Sequence, residues 1–283
     1  MKKPSFDDLR GKVCVITGGG GTIGRSLSEG LASAGVKMAV VDLTKELADA
    51  AAAFLRKEFG LKALGLEADV LDKDTLARAK ERINQELGTI ELLINCAGGN
   101  SPQATTQAEF FEKDAAGNLE KTFYGLDIDA FRKVFDLNFL GTVLPTMVFT
   151  RDMIEKGGGA VLNISSLNSF RPLTKIPAYS AAKASINNFT EWLAVHLAKV
   201  NIRVNAIAPG FFLTSQNRFL LLDETTGDLT ARGTKILTST PMGKFGSPED
   251  LQGAALFLLS DLARFVTGVV VPIDGGFNAY AGV

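Results

Sequence analysis

The chain has 283 residues, 46% apolar and 22% charged, with 30 basic against 31 acidic side chains and a net charge of −1. A chain of that length buries a core of its own, and that composition excludes general disorder. The even charge balance leaves no footprint for nucleic acid or an anionic membrane surface. One histidine and two cysteines provide no Cys/His set for a structural metal.

The cysteines, Cys14 and Cys96, read as buried free thiols of a reducing compartment. The first residues lack the apolar stretch of a signal peptide, and no segment offers ~20 uninterrupted apolar residues. A cytoplasmic protein with no membrane span is expected.

Short runs, apolar throughout, occupy 12–17, 36–42, 63–67, 90–95, 160–165, 202–208 and 269–273. Continuous rather than alternating apolarity suits strands covered on both faces. Helix-period segments lie between them at 22–34, 45–59, 74–87, 127–154 and 178–200. Ser247-Pro248-Glu249-Asp250 opens the last helix, with Ser as cap, Pro in the first turn and Asp three after the cap. Strand and helix in alternation predict a doubly wound α/β sheet. Neither a linker nor a repeat divides the chain, so one domain over 1–283 is expected. Two long connections, 98–126 and 209–240, each follow the carboxyl end of a strand, where such sheets bind ligands. They are candidate substrate loops; a surface insertion is the alternative for each.

The first strand runs into Thr17-Gly18-Gly19-Gly20-Gly21-Thr22-Ile23-Gly24. Glycines let the backbone turn sharply and approach a ligand, and the following helix start offers free N–H groups to phosphates. Asp42 ends the second strand, 18 residues past Gly24. A carboxylate there accepts from both hydroxyls of an adenosine ribose and repels a 2′-phosphate. Gly21 brings no cation for that phosphate, so NAD(H) is expected over NADP(H), with Lys45 nearby as the counter-argument. Asp42 could also be a local cap before the second helix. Asp69 and Asn95 stand at neighbouring strand ends, where they could border adenine and its ribose or serve as turn residues.

Tyr179 and Lys183, four apart on a predicted helix, share a face. A nearby ammonium stabilises a phenolate, so Lys183 is expected to lower the Tyr179 pKa and to reach ribose hydroxyls. Ser166 ends the fifth strand 13 residues before Tyr179, and its hydroxyl can polarise the substrate oxygen. Asn138 lies within the long fourth helix. Its amide either holds a water linking Lys183 to solvent or bonds a backbone carbonyl.

These residues together resemble the short-chain dehydrogenase/reductase family. The match runs in order through Thr17-Gly18-x-x-x-Thr22-x-Gly24, Asp69, Asn95-Cys96-Ala97-Gly98, Asn138, Ser166, Tyr179-x-x-x-Lys183 and Pro209-Gly210-x-x-x-Thr214. The resemblance implies a Rossmann fold with a seven-stranded parallel sheet in order 3-2-1-4-5-6-7, usually in a homotetramer. It implies catalysis by Asn138, Ser166, Tyr179 and Lys183. The cofactor would lie against Gly18, Gly21, Thr22, Ile23, Gly24 and Asp42, then Asp69, Val70, Asn95, Ala97 and Gly98. Tyr179, Lys183, Pro209, Gly210, Phe212 and Thr214 would border its nicotinamide half, with Phe212 either walling the pocket or anchoring its loop. Thr22 replaces the family's usual glycine, and its hydroxyl could bond a phosphate.

Segments 95–100, 135–145, 168–172, 208–214, 216–219 and 269–283 are similar to the D-mannonate oxidoreductase (fructuronate reductase) branch. That branch implies NAD(H)-linked interconversion of D-fructuronate and D-mannonate. A sugar acid needs a cation and polar partners. Asn100, Ser166, Asn168, Arg171 and Arg218 are the candidates, with Lys175 beside them and Gln216 and Asn217 flanking Arg218. Gluconate 5-dehydrogenase, polyol dehydrogenase and 3-oxoacyl carrier-protein reductase are the alternatives within the family. A non-catalytic dinucleotide sensor would lack Tyr179 or Lys183. Trp192 is expected to pack, and His196 to be structural.

Overall fold

The structure, a computed structural model, describes residues 4–112, 117–214, 218–223 and 225–282. Seven strands form one parallel sheet: β1 (Val13–Thr17), β2 (Lys37–Asp42), β3 (Ala63–Glu67), β4 (Ile90–Asn95), β5 (Gly159–Ile164), β6 (Ile202–Pro209) and β7 (Val270–Ile273). Their order is 3-2-1-4-5-6-7, as expected. Each strand begins and ends within one residue of the expected apolar run.

Successive residues of a strand feed two separate cores. Cys14 and Ile16 of β1 pack under α1 (Thr22–Ser33), α2 (Lys45–Phe59) and α8 (Gln252–Leu259). Val13 and Val15 pack under α3 (Lys73–Glu86), α4 (Ile128–Lys156) and α5 (Pro177–Leu197). Both faces are covered, which is why these strands read as unbroken apolar runs. The order reverses between β1 and β4, which opens a crevice at the strands' carboxyl ends.

Asp250 accepts the Ser247 N–H at 2.9 Å, as the capping pattern predicts. The turn it closes is a 3-10 helix, Pro248–Leu251, before α8 begins. The 209–240 segment is not wholly loop. It carries α6 (Arg218–Leu221) and α7 (Ala231–Thr238), too short to show a helical period in sequence. The Thr230 hydroxyl caps α7 by accepting the Gly233 N–H at 3.0 Å. Trp192 does not pack into the core. It is 57% exposed and stacks on His196, ring centroids 4.9 Å apart. Among the described residues no helix is long and apolar enough to cross a membrane, and no group of three or more His, Cys, Asp or Glu side chains could hold a metal.

Candidate active site

At the end of β1 the backbone folds back on itself. Gly18 sits at φ +63°, and a Cβ there would lie 2.8 Å from the Ala97 Cα. A Cβ on Gly24 would meet the Gly18 carbonyl oxygen at 2.4 Å. Only glycine permits the left-handed turn and the close packing of α1 on it. By contrast a Cβ on Gly21 meets only open space and one ordinary contact. No side chain caps the first turn of α1, so its Thr22, Ile23 and Gly24 N–H groups have no side-chain acceptor. Thr22 begins the helix half-buried, and Ile23 packs its side chain on the core. The turn is therefore a cradle of free donors at a positive dipole end, which fits a pyrophosphate.

Asp42 faces this turn. One carboxylate oxygen accepts the Gly20 N–H at 3.0 Å, the other the Thr44 N–H at 3.3 Å. Asp42 thus fixes a local turn, although the cap position of α2 is Thr44, and its carboxylate keeps lone pairs on the cradle side. Lys45 is paired with Asp49 on its own helix instead.

Beyond the cradle the strand ends divide. Asp69 closes its own turn, accepting the Leu71 N–H at 2.8 Å, and Val70 is buried against Gly141 of α4. Asn95 turns its side chain into the protein, donating to Thr146 at 2.8 Å and Asn163 at 2.9 Å, so only its backbone can face the crevice. The Thr17 hydroxyl pins the next segment by accepting the Cys96 and Ala97 N–H groups at 3.2 and 3.3 Å. The sequence motif begins at Thr17 without giving it a role, although a hydroxyl at the last position of a buried strand was the available signal.

The reactive groups meet beside Gly98. Ser166, just past β5, stands by the Tyr179 phenol and draws its pKa down. The Lys183 ammonium is 5.6 Å from the centre of the Tyr179 ring and donates to the Ile164 carbonyl at 2.8 Å. A Cβ on Gly98 would come 2.6 Å from Asn138 Oδ1 and 3.4 Å from Lys183 Nζ, so glycine leaves the room the cluster needs. Asn138 is fully buried. Its amide donates to the Val134 and Gly99 carbonyls at 2.8 and 2.7 Å, and Oδ1 accepts the Gly99 N–H at 3.3 Å. Both donors are spent on backbone, so the side chain clamps the 98–99 loop to α4, the backbone-bonding alternative read from the sequence.

Electrostatics correct one expectation. Burial pushes the Tyr179 phenol up, against the Ser166 hydrogen bond, and pushes Lys183 down to about 8. The ammonium is directed to the Ile164 carbonyl, and desolvation is the largest influence on the phenol. Tyr179 is thus protonated at neutral pH. Lys183 is only 4% exposed. Its charged form is penalised by about 3 kcal/mol below pH 8, and the penalty is relieved as pH rises toward the ordinary lysine value. Lys183→Met should therefore gain most relative to the parent at pH 7, and that advantage should shrink between pH 8 and 10. Urea unfolding of both proteins across that range is the check; an advantage that grows with pH contradicts the assignment.

The candidate substrate residues are scattered. Asn168 is buried at 7% exposure beside Ser166, and its Oδ1 has no partner. Asn100 is exposed and donates to Thr105 at 3.0 Å. Arg171 donates to Asn278 of the tail at 3.2 Å. Arg218 is exposed at the start of α6, and Gln216 and Asn217 lie outside the described residues. Pro209 ends β6, and a Cβ on Gly210 would strike Asp274 at 2.6 Å. Phe212 is buried against Gly246 and anchors its loop, while Phe211 packs on Phe277. Thr214 is half-buried at the loop's near end.

The sequence pattern of the short chain dehydrogenases matches residues 12–224. The chain belongs to the short-chain dehydrogenase family. It is an oxidoreductase whose fold binds a nicotinamide cofactor. A solved structure from Haemophilus influenza, described as a "putative D-Mannonate oxidoreductase" with bound NAD, is 49% identical, covers 98% of each chain and superimposes with a TM-score of 0.92. An oxidoreductase named UxuB from Bacillus subtilis is 46% identical over 99% of each chain. A gluconate 5-dehydrogenase of Burkholderia cenocepacia, solved with NADP and tartrate, is 29% identical with a TM-score of 0.82, covering 98% of this chain and 99% of that one.

Proposed function

We propose that this short-chain dehydrogenase interconverts a keto sugar acid and its hydroxy acid, D-fructuronate and D-mannonate, with NAD(H) preferred over NADP(H). The observation that carries the reaction is the Ser166–Tyr179–Lys183 cluster at the carboxyl edge of the sheet, one loop from a phosphate cradle. The substrate rests on the 49% identity, over nearly the whole chain, to the Haemophilus protein described above.

Tyr179 Oη gives its proton to the substrate carbonyl oxygen. Burial keeps that phenol protonated at neutral pH, the state reduction requires. Ser166 Oγ donates to the same oxygen and holds the phenol in line. Lys183, largely an ammonium below its pKa of about 8, supports the phenolate left behind and reaches ribose hydroxyls. Asn138 fixes the Gly98–Gly99 backbone next to it. A bound nicotinamide supplies the hydride to the carbonyl carbon. For that cofactor, the backbone of Gly18, Gly21, Thr22, Ile23 and Gly24 holds the pyrophosphate and Asp42 the ribose. Asp69, Val70 and the backbone of 95–98 line the adenosine side, and Pro209, Gly210, Phe212 and Thr214 the nicotinamide side. Asn168 supplies an acceptor to a substrate hydroxyl.

Exposed apolar side chains on α4 and α5, Met147, Ile154, Trp192 and Val195 among them, support a homotetramer. Two free cysteines support a cytoplasmic setting. The test is an initial-rate panel of D-fructuronate, 5-keto-D-gluconate, a neutral keto sugar and an acetoacetyl thioester, each with NADH and NADPH. D-fructuronate with NADH should give the highest kcat/KM. Preference for the thioester or for NADPH overturns the reading.

A further inference from the structure

The parallel sheet brings the tail after β7 to the edge that carries the reactive cluster. Strand pairing sets Ile164 of β5 beside Ile207 of β6, and Pro209 of β6 beside Ile273 of β7. Three adjacent strands therefore release their chains at one carboxyl edge: β5 into Ser165-Ser166, β6 into Gly210-Phe211, β7 into Asp274 and the tail. The tail is folded tightly there. Asp274 accepts the Gly276 N–H through one oxygen at 2.9 Å and the Asn278 N–H through the other at 2.8 Å. Gly275 and Gly276 stand at φ +63° and +89°, which glycine adopts without strain.

Folded in this way, the tail holds the chain on both sides of it. On one side lies the segment after β6. The Gly210 N–H donates to the Ile273 carbonyl at 2.9 Å, the Met242 N–H donates to the Gly275 carbonyl at 3.1 Å, and the Phe277 ring meets the Phe211 ring edge-on, centroids 5.3 Å apart. The far part of that segment is held separately, by Lys235 of α7 donating to Glu109 at 2.7 Å. On the other side Asn278 Oδ1 accepts Arg171 Nε at 3.2 Å, across 107 positions. Among the described residues Asn278 is the one side chain that Arg171 bonds. Arg171 closes the turn that follows Ser166: its N–H and that of Phe170 both donate to the Leu167 carbonyl at 3.1 Å. Inside that turn the Ser166 carbonyl accepts the Ser169 N–H at 3.0 Å, and Ser166 Oγ accepts the Asn168 N–H at 3.3 Å. One hydrogen-bonded turn therefore separates the tail from the serine hydroxyl.

We infer, resting on the Ser166–Tyr179 reading above, that the tail is a brace that sets the Ser166 turn against the loop after β6, with Asn278 the positioning residue that joins the two through Arg171. Neither residue touches the reacting atoms. Asn278 fixes Arg171, and Arg171 closes the turn in which Ser166 Oγ is held. Arg171 is thereby assigned to the alignment of the site, not to the substrate carboxylate. Misplacing a group that acts on the reacting oxygen by about 1 Å can cost ~10²-fold in rate. The loss falls on kcat, because the serine hydroxyl works on charge that develops in the transition state.

The experiment is a double-variant cycle on Arg171→Ala and Asn278→Ala. It is read with NADH and whichever keto substrate of the panel above the parent reduces best, beside the Kd for NADH. Each single variant should lower kcat about tenfold, the worth of one hydrogen bond to a charged group, with a much smaller change in KM and in the Kd for NADH. The double variant should be no slower than the slower single one, because either change breaks the same link. Asn278→Asp keeps an acceptor for the guanidinium and should stay within about twofold of the parent. An unchanged kcat in Asn278→Ala, losses that multiply in the double variant, or an Asn278→Asp as slow as Asn278→Ala overturn the brace alone. So does a kcat loss matched by a loss of NADH binding. A KM rise confined to acids in Arg171→Ala, with Asn278→Ala like the parent, gives Arg171 to the substrate carboxylate and overturns the brace as well. A parent that consumes NADH with none of the panel overturns the reductase reading and the brace with it.

Discussion

Asp42→Asn is expected to raise the ratio of kcat/KM for NADPH over NADH by about tenfold or more. The carboxylate faces the glycine cradle and accepts the Gly20 N–H through one oxygen. Asparagine keeps an oxygen for that donor and gives up only the longer bond from the Thr44 N–H, so the turn should stand with a small fall in melting temperature. What the substitution removes is the charge. A full carboxylate accepts from two ribose hydroxyls and repels a phosphate on the same ribose; an amide does the first weakly and the second not at all. Lys45 does not compensate, because Asp49 holds it. The comparison needs only kinetics with both cofactors, and an unchanged ratio contradicts the role given to Asp42.

The larger effect belongs to Tyr179→Phe. Removing a general acid lowers turnover by about 10² to 10⁴. The upper part of that range is expected here, because the neighbouring Lys183 ammonium is directed to the Ile164 carbonyl. The ring and its packing against Ala104 and Ala178 survive, so folding and NADH binding should hold within a few-fold. Fluorescence titration with NADH, run beside the kinetics, separates a chemical loss from a binding loss. A variant that keeps a tenth of the parent's kcat contradicts the assignment.

The sheet was legible because its strands are covered on both faces and so read as unbroken apolar runs. The cradle was legible because Gly18 and Gly24 have no substitute. Ser166, Tyr179 and Lys183 were legible through their spacing relative to a strand end and a helix start. Other features depend on contacts that spacing does not encode. Asn95 looked like a crevice residue, yet its amide is drawn inward by Thr146 and Asn163, 51 and 68 positions away. The direction of the Tyr179 shift turned on desolvation by the surrounding fold, which outweighs the Ser166 hydroxyl. Glu109 and Lys235 meet across 126 positions, through an α7 too short to announce itself.

The central claim is that a proton from a buried phenol and a hydride from a nicotinamide meet on the carbonyl of a sugar acid. Isotope transfer tests it most directly: D-fructuronate reduced by NADH stereospecifically deuterated at the transferable position of the nicotinamide C4. The account predicts a product carrying one deuterium on the new carbinol carbon, at a rate that collapses in Tyr179→Phe. An unlabelled product, or no consumption of NADH with any keto sugar acid, contradicts it.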